Sequence, residues 1–213
     1  MATKLFVPAT PNLPLGTEEY QRRFQDQYSN VLRLYFNQLR NAVDQLIGPT
    51  GGKYLNNPYA SIQRTTDKTF AANTATEVTF DQNDYLNGCQ NDGTNGIRVD
   101  YPGIYNYQFS VQWRNTDSQA HDSWIWLRVN DVDAAGTSSQ FTVPSKHGSV
   151  DGHLIAAANF FVQLAAGDYV KFYAAVSNVL VSMEAYPVQT APFAMPSIPS
   201  AVATLSFVSS PPA

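Results

Sequence analysis

Apolar residues recur three and four apart over one stretch near the start of the chain, and nowhere else. Phe24, Tyr28, Val31, Leu32, Tyr35, Phe36, Leu39, Val43, Leu46 and Ile47 form one wide stripe on a helix. After it the period changes from about 3.6 to 2. A chain with a single long amphipathic helix ahead of strands alone cannot be a βαβ fold, because nothing is left to cross over between parallel strands. The helix is expected over residues 18–47, with Thr17 as N-cap, Glu18 and Glu19 at the positive end of the dipole, and Gly48-Pro49 as the stop. At 1.5 Å per residue such a rod is roughly 45 Å long. Its stripe needs a partner surface.

Only 14% of the residues are charged while 13% are aromatic, and Gln, Asn, Ser and Thr fill most polar positions. That composition suits packing against neighbours. A formal charge of −4 and the lack of a Lys/Arg cluster exclude a nucleic-acid partner: Arg22, Arg23, Arg33 and Arg40 on the helix are diluted by Glu18, Glu19, Asp26 and Asp44. No apolar run reaches the ~18 residues of a bilayer span, and residues 1–8 are too soon broken by Pro8 to read as a signal peptide, so synthesis in a cytoplasm and no membrane partner are expected. The single cysteine, Cys89, rules out an intrachain disulfide and reads as a structural thiol in a turn-rich segment.

Four regions follow. Residues 1–16 carry Pro8, Pro11 and Pro14 among Leu5, Phe6, Val7, Leu13 and Leu15, an extended apolar arm suited to docking. Residues 17–48 are the helical stalk, and the glycine- and proline-rich residues 49–57 are a hinge. Residues 58–213 are a β head. Its clearest strand alternates Tyr105, Tyr107, Phe109, Val111 and Trp113 with polar residues after the Pro102-Gly103 turn. Residues 124–129 and 154–164 are apolar on both faces, which predicts central strands covered on one side by the facing sheet and on the other by a neighbour subunit or loop. Residues 169–176, 179–185 and 202–208, with shorter runs at 60–64, 77–80, 97–99 and 140–143, bring the count to about ten strands at sandwich or jelly-roll spacing. Pro187, Pro192, Pro196 and Pro199 mark an irregular excursion before the last strand.

The search for chemistry finds little. Gly52-Lys53 is followed by Tyr54 and lacks the upstream glycine of a phosphate loop. His121, His147 and His153 have no second ligand at metal-site spacing, and the fragments at Asp131-x-Asp133 and Asp81-x-Asn83-Asp84 lack the bidentate glutamate of a calcium loop and read as turns. Glu77 and Glu184 are isolated in strand patterns, so no acid–base pair is visible, and Glu184 suits pairing with a cation or a place on the solvent face. No catalytic residue, metal or cofactor is expected. The strand aromatics, Trp124 and Trp126 included, read first as core, and a few of them suit a carbohydrate or subunit surface. Association remains. Leu32, Phe36, Leu39, Val43 and Leu46 fit one heptad register, and a second register shifted by a residue makes the stripe wide enough for three helices.

Particular runs carry a family likeness. Residues 28–38, then Gly51-Gly52-Lys53-Tyr54 and Pro58-Tyr59-Ala60, Ile125-Trp126-Leu127-Arg128, Pro144-Ser145-Lys146-His147-Gly148 and residues 198–208 resemble small virion structural proteins of marine tailed phages, particularly those of cyanobacteria. The strand from Gly103 to Ser110 and the Leu164-x-x-Gly167-Asp168-x-Val170 turn resemble trimeric heads of the tumour-necrosis-factor and complement type. The resemblance implies a mainly β, ten-stranded jelly-roll head behind an amphipathic helix, forming a non-enzymatic homotrimer in the virion. Its partners would be its own copies, other capsid or tail proteins, and a host surface glycan or protein. On this reading Leu32, Phe36, Leu39, Val43, Leu46, Tyr107 and Phe109 meet across the trimer, and Leu5, Phe6, Val7, Leu13 and Leu15 dock to the particle.

Overall fold

The computed structural model describes residues 8–16, 18–47, 57–91 and 96–210. They fall into two compact units divided after Asn56. In the first, helix α1 spans Arg22–Ile47. It begins a turn later than the sequence predicts: its first backbone bond runs from Gln25 N–H to Gln21 O at 3.1 Å, which makes Gln21 the N-cap. Glu18 and Glu19 therefore precede the helix rather than fill its first turn. Thr17 and the Gly48-Pro49 stop lie outside the described residues. Arg22–Asp26 and Arg40–Asp44 pair across one turn at 3.9 and 3.5 Å, exposed contacts worth about 0.3–0.5 kcal/mol each.

The second unit holds fourteen strands among the described residues, not ten. They are β1 Tyr59–Arg64, β2 Lys68–Thr69, β3 Thr76–Val78, β4 Gln82–Asn87, β5 Cys89–Asn91, β6 Ile97–Val99 and β7 Gly103–Asn115. There follow β8 His121–Val129, β9 Val132–Asp133, β10 Ser139–Val143, β11 Gly152–Leu164, β12 Tyr169–Val176, β13 Val181–Met183 and β14 Ala201–Ser209. Every one of the ten expected segments contains a strand. The four additional ones are short or polar: β2 and β9 have two residues each, and β4 and β5 are Asn- and Gln-rich stretches whose composition mimics turns. Asn83 and Asp84 thus belong to a strand rather than a turn, and so does Cys89.

Two antiparallel sheets form a sandwich. The first runs β2-β13-β7-β14-β1-β4 with β11 on the far side of β7, and the second runs β10-β8-β12-β6-β5 with β3 on β12 and β9 on β8. The pairs β1·β14, β6·β12, β7·β11 and β8·β10 are nested in sequence and alternate between the sheets. This is the wound double strand of a jelly roll.

Period-2 alternation explains the core. The odd residues of β7, Tyr105, Tyr107, Phe109, Val111 and Trp113, are at most 4% exposed and meet Ile125, Leu127, Phe172 and Ala174 of the opposite sheet in one hydrophobic cluster. Phe109 and Phe172 bridge the layers with ring centroids 4.5 Å apart. Cys89 joins this cluster; burial, with Asp100 nearby, pushes its thiol up to about 12, where a thiolate nucleophile is not available at neutral pH.

Candidate association surface

The two outer faces of the sandwich are opposite in chemistry. On the second sheet, Trp126 and Tyr173 lie side by side in register, 5.9 Å between rings, with Glu77 next in the row. The Arg128 guanidinium sits 4.1 Å above the Tyr173 ring, and Asp133 of the β8–β9 hairpin accepts bonds from both Arg128 Nε (2.6 Å) and Trp126 Nε1 (2.7 Å). Arg128 and Lys171 stand opposite each other, a like-charge pair. Asp131 relieves it by accepting from Lys171 Nζ at 2.8 Å, and Glu77 lies 3.6 Å from the same nitrogen. Residues 124–129 are therefore covered outside by the chain's own ladder of charges and rings.

The first sheet's outer face is built from the even residues of β7 and β14 and the odd residues of β1 and β11. Three successive cross-strand rows can be read from the register. Phe161, Asn106, Ser206 and Tyr59 form one; Asn159, Gln108, Thr204 and Ser61 the next; Ala157, Ser110, Val202 and Gln63 the third. Not one residue in these rows is charged. A sheet face meant for water carries interspersed Lys, Glu and Arg, whereas the buried centre of an interface is depleted of them. A depression of about 470 Å³ lies in the middle, lined by Gln108, Ser110, Ala157, Asn159, Val202 and Thr204 among others.

Strand β11 borders this face as an edge. It hydrogen-bonds to β7 on one side only, runs for thirteen residues, and carries no Lys, Arg, Asp or Glu. Edges are normally blunted by charges, prolines, bulges or brevity, and β11 uses none of these. Its outward residues are exposed, Ile155 at 64% and Phe161 at 67%. This corrects the expectation of a central strand at 154–164: within the β unit β11 is an edge, and among that unit's described residues nothing covers its outward apolar side chains.

The predicted association residues separate by location. The Tyr107 and Phe109 side chains are 0% and 4% exposed and pack in the chain's own core, Phe109 at the floor of the depression rather than on the open face. Their register neighbours Asn106, Gln108 and Ser110 face outward instead. On α1, Phe36, Leu39 and Val43 are 58%, 37% and 42% exposed while Leu32 is half-buried, leaving an open apolar stripe. The Leu46 side chain and all of Leu5, Phe6 and Val7 lie outside what is described. Leu13 and Leu15 are 41% and 91% exposed.

At one end of the first sheet, the Arg114 guanidinium bridges Asp151 (Nε to Oδ2, 2.7 Å) and Glu184. Glu184 thus pairs with a cation, one of the two roles the sequence left open to it, and its other oxygen accepts from Tyr186 at 2.5 Å. His121 pairs with Asp117 at 2.7 Å, and His147 is bridged by backbone bonds to Val150. Hydrogen bonds from Arg114, Arg128 and Lys171 hold Asp151, Asp133 and Asp131 below the ordinary carboxylate range. Depressed folded-state pKa values contribute stability that is present above the unfolded pKa, near 3.9, and lost as pH falls through the lower folded ones. The melting temperature is expected to hold from pH 7 to about 4 and to fall below it. Asp151→Asn should lower the plateau and flatten the acid limb, as read by calorimetry across pH 2–7.

No family model matches the chain, and no curated protein does. Among solved structures, that of Eiger TNF from S. frugiperda aligns with a TM-score of 0.49 at 11% identity, covering 75% of this chain and 97% of that one.

Proposed function

We infer that the chain is a non-catalytic structural protein of a phage virion and acts as a homotrimer. The observation that carries the reading is the three uncharged cross-strand rows on the outer face of the first sheet beside the uncharged edge strand β11. Phe161 on that edge is the right kind of side chain to enter a depression lined by Ala157, Val202 and neutral polar groups in the next copy. Such a contact joins two different patches, so it is head-to-tail and closes into a ring when the rotation permits. Three is the number that the likeness to trimeric heads implies. The apolar stripe of α1, open at Phe36, Leu39 and Val43, would extend the assembly along the stalk. The virion setting rests on the likeness to phage structural proteins, with the apolar arm at residues 1–16 as the docking segment and other capsid or tail proteins as its partners.

Sedimentation of the full chain tests the assembly. The expected mass is three times the 23.5 kDa of one chain. Phe161→Glu places a charge in the centre of the proposed contact and is expected to return the single-chain mass while leaving the circular dichroism spectrum unchanged. A monomeric wild-type chain sinks the reading. A trimer that survives Phe161→Glu but is lost in Phe36→Glu moves the interface to the helix.

A further inference from the structure

Tyr186 is held more firmly than an excursion residue needs to be. Its backbone exchanges two hydrogen bonds with Ile198, both 2.8 Å, and its hydroxyl donates to Glu184, which Arg114 fixes in turn. Burial and the carboxylate beside it push that hydroxyl up to about 12, so it remains a neutral donor across the physiological range. The half-buried Tyr186 lines two open depressions, each of about 390 Å³, and its ring lies 6.4 Å from that of His153 in the second.

On one side the lining includes Gln63, Thr66, Asp67 and Gln82, backed by Ile198 and Pro199. On the other are Gln112, His153, Leu154 and Ile155. Neither depression has a lysine or arginine in its lining. The polar groups are already oriented by bonds within the chain. Gln63 and Gln82 both give amide N–H to Asp84, at 2.6 and 2.9 Å, and Asp67 Oδ1 accepts from Ala185 N–H at 2.8 Å. What they offer a ligand is acceptor oxygen.

The occupant must therefore bring hydrogen-bond donors without negative charge. An anion would meet Asp67, whose neighbouring cation Arg64 is already committed to the Thr79 and Asp67 carbonyls, and a wholly apolar ligand would cover the amide oxygens of Gln63 and Gln82, whose N–H groups alone are taken up by Asp84. A pyranose fits both demands, with hydroxyl donors at its rim and a C–H face for the tyrosine ring. A tyrosine already locked in place loses little entropy on binding. We propose that the cleft binds an uncharged oligosaccharide laid across Tyr186, one sugar ring on either side. The lining comes from a single chain, and although Gln63 and Ile155 also belong to the face and edge proposed to associate, Tyr186 and Gln82 lie outside those rows, so variants at these two positions separate the sugar site from the trimer.

Saturation-transfer NMR on the full chain, with maltotriose, cellotriose and tri-N-acetylchitotriose as probes at millimolar concentration, tests it. Transfer to at least one of the three is expected. Tyr186→Ala should weaken that binding by about tenfold or more, the loss of one good contact. Gln82→Ala, at an exposed strand end with no core role, should weaken it in a chain whose melting temperature is unchanged. Absence of transfer to all three probes overturns the proposal, and so does undiminished transfer in the folded Gln82→Ala protein. Sedimentation of the same variants is expected to return the wild-type mass, which keeps a failed sugar site distinct from a failed assembly.

Discussion

Trp113→Ala is expected to destabilise the head by about 3–5 kcal/mol, the range for truncating a large aromatic in a core that cannot collapse around the gap. Trp113 is 1% exposed and sits on β7 between Leu154 of β11 and Met183 of β13, so three strands converge on it. Phe70 packs against it at 5.5 Å between ring centroids. Backbone ladders on both sides hold those strands apart, which prevents the cavity from closing. One detail gives the prediction a second arm. The indole Nε1 is buried without a hydrogen-bond partner, a desolvation cost of about 1–3 kcal/mol that the wild-type chain bears. Trp113→Phe removes that orphan together with some packing volume, and the two effects offset each other to a net loss under about 1.5 kcal/mol. Urea unfolding at fixed protein concentration, followed by far-ultraviolet circular dichroism, reads both. A Phe variant as unstable as the Ala variant would mean that the indole nitrogen is satisfied in solution.

Trp113 was legible in the sequence, and the reason it was shows where reading a single chain works. Its strand alternates strictly from Tyr105 to Arg114 because one face is core and the other is not, so the pattern carries its own explanation. Strand β11 carries the same kind of evidence with the opposite meaning. Leu154, Ala156 and Val162 face the core and Ile155, Ala157 and Phe161 face out, yet all six are apolar, so the alternation that marks β7 is missing here. Periodicity reports how greasy a face is, not which chain covers it. Strands β4 and β5 were missed for a different reason: Gln82, Asn83, Asp84, Asn87, Gln90 and Asn91 are turn formers by propensity, and pairing with β1 and β6 overrides it. The helix was placed correctly in kind but a turn too long at its start, because Glu18 and Glu19 serve a helix N-terminus as well from just outside it as from within.

The candidate sites were less legible than the fold. Arg114 and Glu184 are seventy residues apart, and Gln63 and Tyr186 more than a hundred, so no local spacing hints that they meet. Tyr186 itself stands in a proline-rich stretch that reads as a linker. Its role depends on a two-residue bridge to Ile198 across the excursion, which leaves no periodic trace. The uncharged face is the exception: Asn106, Gln108, Ser110 and Gln112 are visible as the polar half of β7, and their shared lack of charge is a signal that reading them simply as solvent-facing passes over.

Gly96→Ala is the other substitution expected to cost most, and it separates two effects that glycine usually combines. Gly96 has φ of +71°, where an L side chain is strained by about 1–2 kcal/mol. A Cβ there would also stand 2.1 Å from the carbonyl oxygen of Val170 and 2.8 Å from its carbon. Those atoms are backbone, and Val170 is paired with Ile97 immediately beyond the glycine, so relief requires the β6–β12 ladder to part. Gly136 is the control. Its φ is +79°, but a Cβ on it meets nothing within 4 Å, so Gly136→Ala carries the strain alone. The expected order is a loss of about 1–2 kcal/mol for Gly136→Ala and of about 3 kcal/mol or more for Gly96→Ala, with lowered amide protection through β6 and the facing part of β12. Equal losses at the two positions would show that the close approach of Gly96 to Val170 is not maintained in solution, and with it the tight seating of β6 against β12.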